Sequence, residues 1–575
     1  MFILGINAYH ADSSAAIFDD GVLIAATEEE RFKRIKHWAG FPSLAIEFCL
    51  REAGISLSEV DHIAIGRDPR AKFFKKLLFL ARNPSGSWNS IAQRISNSKN
   101  VTSLESELFK IDQSVSEEIL KSRIHQVEHH RSHLASAFFA SPFKESAILS
   151  IDGSGDFTTT MTAMGKDGHF EVLNSIDFPH SVGIFYTAFT QWLGFPHYGD
   201  EYKVMGLAPY GNPKYVDKLK KVLIFKDHGL FELDLSYFRS PREGYIAYSD
   251  NLPIVERVFS DKLIGLLGQN RDINDEIGQY YKDIAASVQR ITEELIFHCL
   301  NDLYSKTKCE NVCIAGGVAQ NSVANGKITS NTPFKNVYIP SAGHDAGISM
   351  GSGLFVYNQI LHKQRTSPIM SAYSGSHYSN EEIEKYLAGK KVKFKFLDDE
   401  QLFEKVVDCI IDAGVVGWFS GRAEFGPRAL GGRSILADPR RKDAKELLNT
   451  KIKKRESFRP FAPSILKEFA KEYFEMDTDV PFMEKVFLIK AEMRHLIPAV
   501  THVDGTGRLQ TVDKKYSPRF HALISAFYKR SGVPILLNTS FNENEPIVNS
   551  PENALDCFLR TNMDILVLEN YIVSR

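Results

Sequence analysis

Residues 147–176, AILSIDGSGDFTTTMTAMGKDGHFEVLNSI, set the pattern for the amino-terminal half of the chain. An apolar run ends at Asp152 and gives way to the small residues Gly153, Ser154 and Gly155. Two alternating runs follow, separated by Asp167-Gly168. Alternation about an Asp-Gly centre is the signature of a β-hairpin, because the turn needs residues that tolerate positive φ. The amino terminus has the same order. FILGINAY (residues 2–9) reads as an apolar strand, and SSAAIFDDGVLIAATEEE (residues 13–30) as a hairpin turning at Asp19-Asp20-Gly21. Ile6-Asn7 answers Ile151-Asp152. A duplicated strand, small polar loop and hairpin implies two related halves facing a cleft. Each would bring a small-residue loop to that cleft, where backbone N–H groups can hold an anion.

Helical stretches follow each hairpin, near residues 42–54 and 181–194. Further on, NVCIAGGVAQNSVANGKI and NVYIPSAGHDAGISMGSGLFVYNQIL each read as strand, glycine turn and helix. Residues 363–381 are polar and rich in small residues and read as a linker between a first domain, 1–362, and a second α/β domain, 382–575. The second domain's strands are expected in VVGWFS, RPFAPSIL, VPILLNTSF and DILVL. Its helices include DAKELLNTKI, SPRFHALISAFYKRSG and SPENALDCFLRTN, the last with Ser550 as N-cap and Pro551 at the first helical position.

The chain has 575 residues and a formal net charge of −2. That balance excludes a globally basic nucleic-acid binder, so any anion site has to be local. Six cysteines are scattered, too few for a secreted disulfide framework, and point to a reducing cytoplasm. Cys309 and Cys313 lack a second pair and read as parts of a buried strand, not as zinc ligands. MFILGINAYHADSS has no basic leader and reads as a first strand, not a signal peptide. No apolar run has the length of a membrane span. Residues 67–99 hold eight Lys or Arg against one acidic residue around FFKKLLFL. They read as an amphipathic helix closing over the first domain, with a membrane-surface or partner contact as the alternative.

HHRSHLASAFFA begins at His129. If it is helical, His129 and His133 share a face at i,i+4 and make half of a site for a first-row transition metal, while His130 points elsewhere. The third ligand is expected at Asp345, in the Gly-flanked turn of PSAGHDAGISMG, where α/β folds place their chemistry. Helix capping is the other reading of Asp345, and the adjacent His344 stays open as a ligand.

The motifs GINAYHADSSAA, EEERFKRIKH, HHRSH, IDGSGD, EYKVMGLAPYG, GGVAQN and GHDAGISMG stand in the order found in the NodU/TobZ/CmcH family of O-carbamoyltransferases. EFGPRALGGRSILADPR, KKRESFRPFAPS and LLNTSFN resemble the same family, so the resemblance covers essentially the whole chain. It implies a duplicated domain of the actin/sugar-kinase/Hsp70 superfamily, TsaD-like and metal-containing, followed by a YrdC-like α/β domain. The second domain would make carbamoyl adenylate from ATP and carbamoyl phosphate. The first would pass the carbamoyl group to a hydroxyl of a small-molecule natural product.

The resemblance implies His10 as general base and an iron ion at His129, His133 and Asp345, although that ligand set alone permits zinc or manganese. Asp152, Gly153, Ser154 and Gly155 would contact the adenylate, with Gly316, Gly317, Asn321 and Asn325 holding ribose and base. Glu201 and Lys203 would line the acceptor side. In the second domain, Arg428, Lys453, Arg459, Arg508, Asn538 and Ser540 would hold ATP and carbamoyl phosphate. Residues 421–460 carry twelve Lys or Arg against five acidic residues, the local density such anions need. Mg²⁺ is expected with ATP, and a homodimer is allowed. Two rivals are a sugar-kinase-like ATPase and a tRNA-modifying protein of the threonylcarbamoyl type. Near-zero net charge speaks against the second.

Overall fold

The computed structural model describes residues 1–82, 103–476 and 478–575. The chain forms two compact units: Met1–Glu30 with His37–Ile369, and Arg31–Lys36 with Met370–Arg575. They divide between Ile369 and Met370, inside the stretch read as a linker. Before the division, the Arg365 guanidinium donates to the carbonyls of Phe138, Phe139 and Ser141. Beyond it, the Ser376 hydroxyl donates to the Asn549 carbonyl. Each half of this polar stretch is therefore tied to its own unit.

The first unit contains two sheets of five strands with one topology. The first holds β1 (Phe2–Asn7), β2 (Ser14–Asp19), β3 (Val22–Glu28), β4 (His62–Ile65) and β5 (Ile124–Gln126), in the order β3-β2-β1-β4-β5. The second holds β6 (Glu145–Gly155), β7 (Thr158–Lys166), β8 (His169–Asp177), β9 (Asn311–Ala315) and β10 (Asn336–Tyr338), in the order β8-β7-β6-β9-β10. In each sheet the leading strand pairs antiparallel with a hairpin on one side and parallel with a later strand on the other. The duplication expected from residues 147–176 is present, and both hairpins turn at their Asp-Gly dipeptides. Asp20 and Gly21 take φ of 43° and 77°.

One detail differs. The small residues 152–155 do not form a loop: β6 runs on to Gly155, its pairing register shifts between Ile151 and Gly155, and the chain turns at Asp156-Phe157. Residues with little or no side chain let the strand end bulge without leaving the sheet.

The helices that position the site are α1 (Ser43–Ala53), α2 (His129–Phe138), α3 (Val182–Trp192), α4 (Glu201–Leu207), α5 (Gln279–Thr307) and α6 (Gly347–Phe355). Helix α6 carries glycines where its neighbours come closest. A Cβ on Gly351 would lie 1.9 Å from the Ser132 carbonyl oxygen of α2, and one on Gly5 of β1 would lie 1.9 Å from the Ser349 carbonyl oxygen of α6. These gaps let α6 seat its amino-terminal turn, with Asp345, against α2.

Of the basic stretch 67–99, residues 83–99 lie outside the described residues. Phe73–Arg82 is helical, its Phe79 packs on Phe157 and Phe178, and Lys75 pairs with Asp177 at 2.6 Å. Phe73, Phe74, Leu77 and Leu78 are exposed. No helix among the described residues is long and apolar enough to cross a membrane. All six cysteines are free, and Cys313 is buried on β9.

Besides a short antiparallel pair, Phe487–Leu488 with Thr506–Gly507, the second unit holds one mixed sheet of eight strands. They are β11 (Lys393–Phe396), β12 (Val416–Phe419), β13 (Arg433–Ala437), β14 (Ala462–Leu466), β15 (Gln510–Val512), β16 (Ile535–Ser540), β17 (Ile565–Leu568) and β18 (Tyr571–Ser574). Their order is β11-β18-β17-β12-β13-β16-β14-β15. Helices α7 (Asn380–Ala388), α8 (Asp399–Ile411), α9 (Pro518–Ser531) and α10 (Pro551–Arg560) belong to the same unit, which has one continuous apolar core. Ser550 caps α10 by accepting from the Asn553 N–H, with Pro551 at its start, as expected.

Candidate active site

In the first unit, His129, His133, Asp152 and Asp345 bring one ligand atom each to within 4.8 Å of one another, and all four are buried. Helix α2 supplies the histidines on one face, β6 supplies Asp152, and the turn before α6 supplies Asp345. His129 Nε2 lies 3.1 Å from Asp152 Oδ2 and 3.7 Å from Asp345 Oδ1. His133 Nε2 lies 3.4 Å from each of the same two oxygens. Ligands held ~2.1 Å from a tetrahedral ion stand ~3.4 Å apart, so this spacing fits a small divalent cation. Neither His133 Nε2 nor Asp345 Oδ1 has a hydrogen-bond partner among the described residues. Leaving such buried atoms unmet costs about 1–3 kcal/mol each, and a metal ion satisfies both.

The surroundings fix these side chains. Asp152 Oδ1 accepts from the Gly317 N–H at 2.9 Å, which turns Oδ2 toward the histidines. Asp156 Oδ2 accepts the His129 N–H at 3.0 Å. A Cβ on Gly155 would sit 2.1 Å from the His129 ring, so only glycine leaves room for that imidazole. His130 points away and bonds to Ser150 Oγ and the Thr158 carbonyl oxygen. His344 Nε2 stands 4.0 Å from Asp12 and is not part of the group. Burial opposes the charged form of Asp152, yet His129 and His133 hold its carboxyl well below the usual range.

His10 sits in the loop after β1, with Nδ1 2.7 Å from Asp345 Oδ2. The contact is close but misaligned for a hydrogen bond. The loop is pinned by Asn7 Nδ2, which donates to the Ala11 and Asp12 carbonyls, and by Arg67, which donates to the Tyr9 carbonyl. Burial works against a charge on His10, but Asp345 outweighs it and its pKa is raised.

The other expected residues fall into place unevenly. Gly316 takes φ of 105°, and a Cβ there would lie 2.2 Å from the Ile151 carbonyl oxygen. Gly153 and Ser154 are half-buried at the end of β6, where the Ser181 hydroxyl contacts the Asp152 and Gly153 carbonyls. Asn321 is engaged within the fold, because it caps the Ala324 N–H and exchanges two hydrogen bonds with Gln289. Asn325 donates to the Ala319 carbonyl. Glu201 accepts from Thr187 Oγ1 at 2.6 Å, and Thr187 also meets the Tyr245 hydroxyl, whose ring lies over Gly153. Lys203 instead pairs with Asp200 at 2.9 Å. Asp152, expected from the sequence among the nucleotide contacts, stands with His129, His133 and Asp345 in a group that could hold a metal ion. Tyr245, which no sequence motif singles out, comes beside Gly153. Asp152 lies within β6 at the end of its buried run, where no local pattern separates a metal ligand from a nucleotide contact.

In the second unit, Arg508 is pushed well below the ordinary arginine pKa by burial and by the like charges of Arg428, Arg455 and Arg459. Arg428, Arg455 and Arg459 are therefore near enough to Arg508 to act on its charge. Arg508 Nε has no partner among the described residues. Lys453 is buried, and its ammonium contacts the Ser540 carbonyl, the Asn542 carbonyl and Asn542 Oδ1 at 2.6, 2.7 and 2.6 Å. It therefore ties down the Ser540–Asn542 turn rather than pointing at open space. Asn538 donates to the Ala429 carbonyl and to Ser464 Oγ.

A mixed α/β fold with a duplicated amino-terminal half, a buried His/Asp group and a separate arginine cluster define a two-unit group-transfer enzyme. The chain belongs to the carbamoyltransferase family: residues 2–354 match the family's amino-terminal domain and residues 407–575 its carboxy-terminal domain. The uncharacterized protein sll1178 of Synechocystis sp. is 42% identical across 100% of this chain and 96% of its own. Nodulation protein NolNO of Sinorhizobium fredii is 37% identical across 99% of this chain and 80% of its own. Component A of the Acidaminococcus fermentans (R)-2-hydroxyglutaryl-CoA dehydratase aligns over 63% of this chain and 99% of its own, at 16% identity and a TM-score of 0.32.

Proposed function

We propose that this carbamoyltransferase works in two steps. In the second unit water cleaves carbamoyl phosphate to carbamate and inorganic phosphate, and a carbamate oxygen then bonds to the α-phosphorus of ATP, expelling pyrophosphate and leaving carbamoyl adenylate. The first unit passes the carbamoyl group to a hydroxyl of a small-molecule acceptor and releases AMP. The observation that carries this reading is the buried group of His129, His133, Asp152 and Asp345 with His10 against it, in a chain of the carbamoyltransferase family.

Imidazole nitrogen and carboxylate oxygen suit a first-row divalent ion, iron(II) among them. Bound there, the ion supplies Lewis-acid polarisation of the carbamoyl carbonyl. His10 presents its Nδ1 side to Asp345, which leaves Nε2 to take the proton of the acceptor hydroxyl as that oxygen bonds to the carbamoyl carbon. Gly153, Ser154 and Gly317 bring backbone with little side chain to the end of β6, where a nucleotide would approach. Glu201, held by Thr187, lies on the acceptor side. In the second unit Arg428, Arg459 and Arg508 concentrate positive charge for phosphates, and Mg²⁺ would arrive with ATP. Lys453 supports that cluster by fixing Ser540.

The test incubates the full chain with ATP, labelled carbamoyl phosphate and a pool of hydroxylated metabolites. The expected products are AMP, pyrophosphate and an acceptor heavier by one carbamoyl unit. ADP as the nucleotide product would instead mark a kinase-like ATPase and reject this reading.

A further inference from the structure

The loop from Glu424 into β13 has its backbone held by side chains from elsewhere in the second unit. Leu430 O accepts from Gln510 Nε2 at 2.7 Å and from the Tyr373 hydroxyl at 2.7 Å, and Gly431 O accepts from Trp418 Nε1 at 2.8 Å. Ala429 O accepts from Asn538 Nδ2 at 3.2 Å. On the donor side, the N–H groups of Leu430, Gly432 and Arg433 converge on one oxygen, Glu424 Oε1, at 2.7, 2.7 and 3.3 Å. Gly431 N–H turns instead to Ser434 Oγ, and the other three, aimed at one point, form an anion-holding concavity. Here the chain fills it with its own carboxylate.

Glu424 is 2% exposed, and its Oε2 has no hydrogen-bond partner among the described residues. Oε1 alone meets the three N–H groups, so what Glu424 supplies to the loop is an acceptor at that one point. Its charge lies beside Arg433, whose pKa burial pushes down to about 10 against the support of Glu424. The Arg433 guanidinium is itself occupied by the carbonyls of Gly421, Gly432 and Ser376. What this rigid loop presents is the side chain of Arg428, next to Ala429.

We propose that Glu424 is a positioning residue for anion binding in the second unit: by filling the concavity it fixes the loop that carries Arg428 and denies phosphate the loop's own N–H groups. The inference rests on the reading of the second unit as the adenylate-forming one. Its test is carbamoyl-phosphate-dependent ATP–pyrophosphate exchange by the full chain. Glu424→Ala raises the KM for carbamoyl phosphate by about tenfold or more, with kcat within about threefold. Glu424→Gln, whose amide oxygen accepts the same N–H groups, returns KM to within about threefold of the parent. A lower kcat at unchanged KM in Glu424→Ala reports only a smaller folded fraction and overturns the proposal. If Glu424→Ala does not fold, Glu424→Asp decides. Its shorter arm pulls the loop back, so a KM raised about threefold or more supports the proposal and an unchanged KM rejects it. A parent enzyme without exchange activity refutes the two-step reading instead. Calorimetric titration of the same variants with inorganic pyrophosphate then decides the role of Glu424, with weaker binding expected in Glu424→Ala and equal binding contradicting it.

Discussion

Gly155 makes room for one imidazole. The Cβ of an alanine there would stand 2.1 Å from the His129 ring, which faces Asp152 at 3.1 Å. Gly155→Ala is expected to weaken metal binding by about tenfold or more, the scale on which misplaced ligand supports act. Titration of the metal-free protein with a divalent cation measures this, and equal affinity in the variant contradicts it. The histidine pair was legible in the sequence because i,i+4 spacing is a local property of a helix. Asp345 was legible because a glycine-flanked turn after a strand is a recognisable place for chemistry. Asp152 was legible as a site residue, whereas its place beside the histidines was not. An aspartate that ends a strand reads the same whether it caps, binds a nucleotide or binds a metal, and here the Gly317 N–H, 165 residues away, turns it toward the histidines. The matching of the Asn321 amide to Gln289 on α5 is likewise invisible to any local pattern.

Helix α6 is where packing and chemistry meet. Its glycines bring backbone against α2 and β1, so the turn that carries Asp345 depends on contacts with no side chain in them. Gly351→Ala would force a methyl group into the Ser132 carbonyl oxygen of α2. Overpacking of this kind costs about 1–3 kcal/mol, and urea unfolding of the variant should report a loss in that range together with weaker metal binding. An unchanged midpoint would mean that α2 and α6 separate without cost. Strand β13 marks what the sequence concealed at this level. It opens with Arg433, which is fully buried, lies 3.6 Å from the centroid of the Phe419 ring and donates to backbone carbonyls. A charged residue at the head of a five-residue run argues against a buried strand until those carbonyls are known. The hairpins of the first unit had no such concealment, because alternation and Asp-Gly turns are written in adjacent residues.

The two proposed steps, one in each unit, imply that transfer can be silenced without silencing adenylate formation. His133→Ala should retain pyrophosphate release from ATP and carbamoyl phosphate within about threefold while losing carbamoyl transfer by about a hundredfold or more. Arg508→Ala should lose both, because the second step has no donor without the first. Equal loss of both activities in His133→Ala would place the two steps in one site. The duplicated order of the first unit is legible along the chain, whereas the eight-stranded order of the second is not. In that sheet two parallel pairs, β12 with β17 and β14 with β15, stand among antiparallel ones, and β12–β17 and β13–β16 join strands about a hundred or more residues apart, which no local pattern encodes. The central claim is that His129, His133, Asp152 and Asp345 together hold one metal ion. Elemental analysis of the purified full chain beside its Asp345→Ala variant, both loaded with iron(II) without oxygen and desalted, measures it most directly. The account predicts about one ion per chain in the parent and almost none in the folded variant; equal metal content in the two proteins would contradict it.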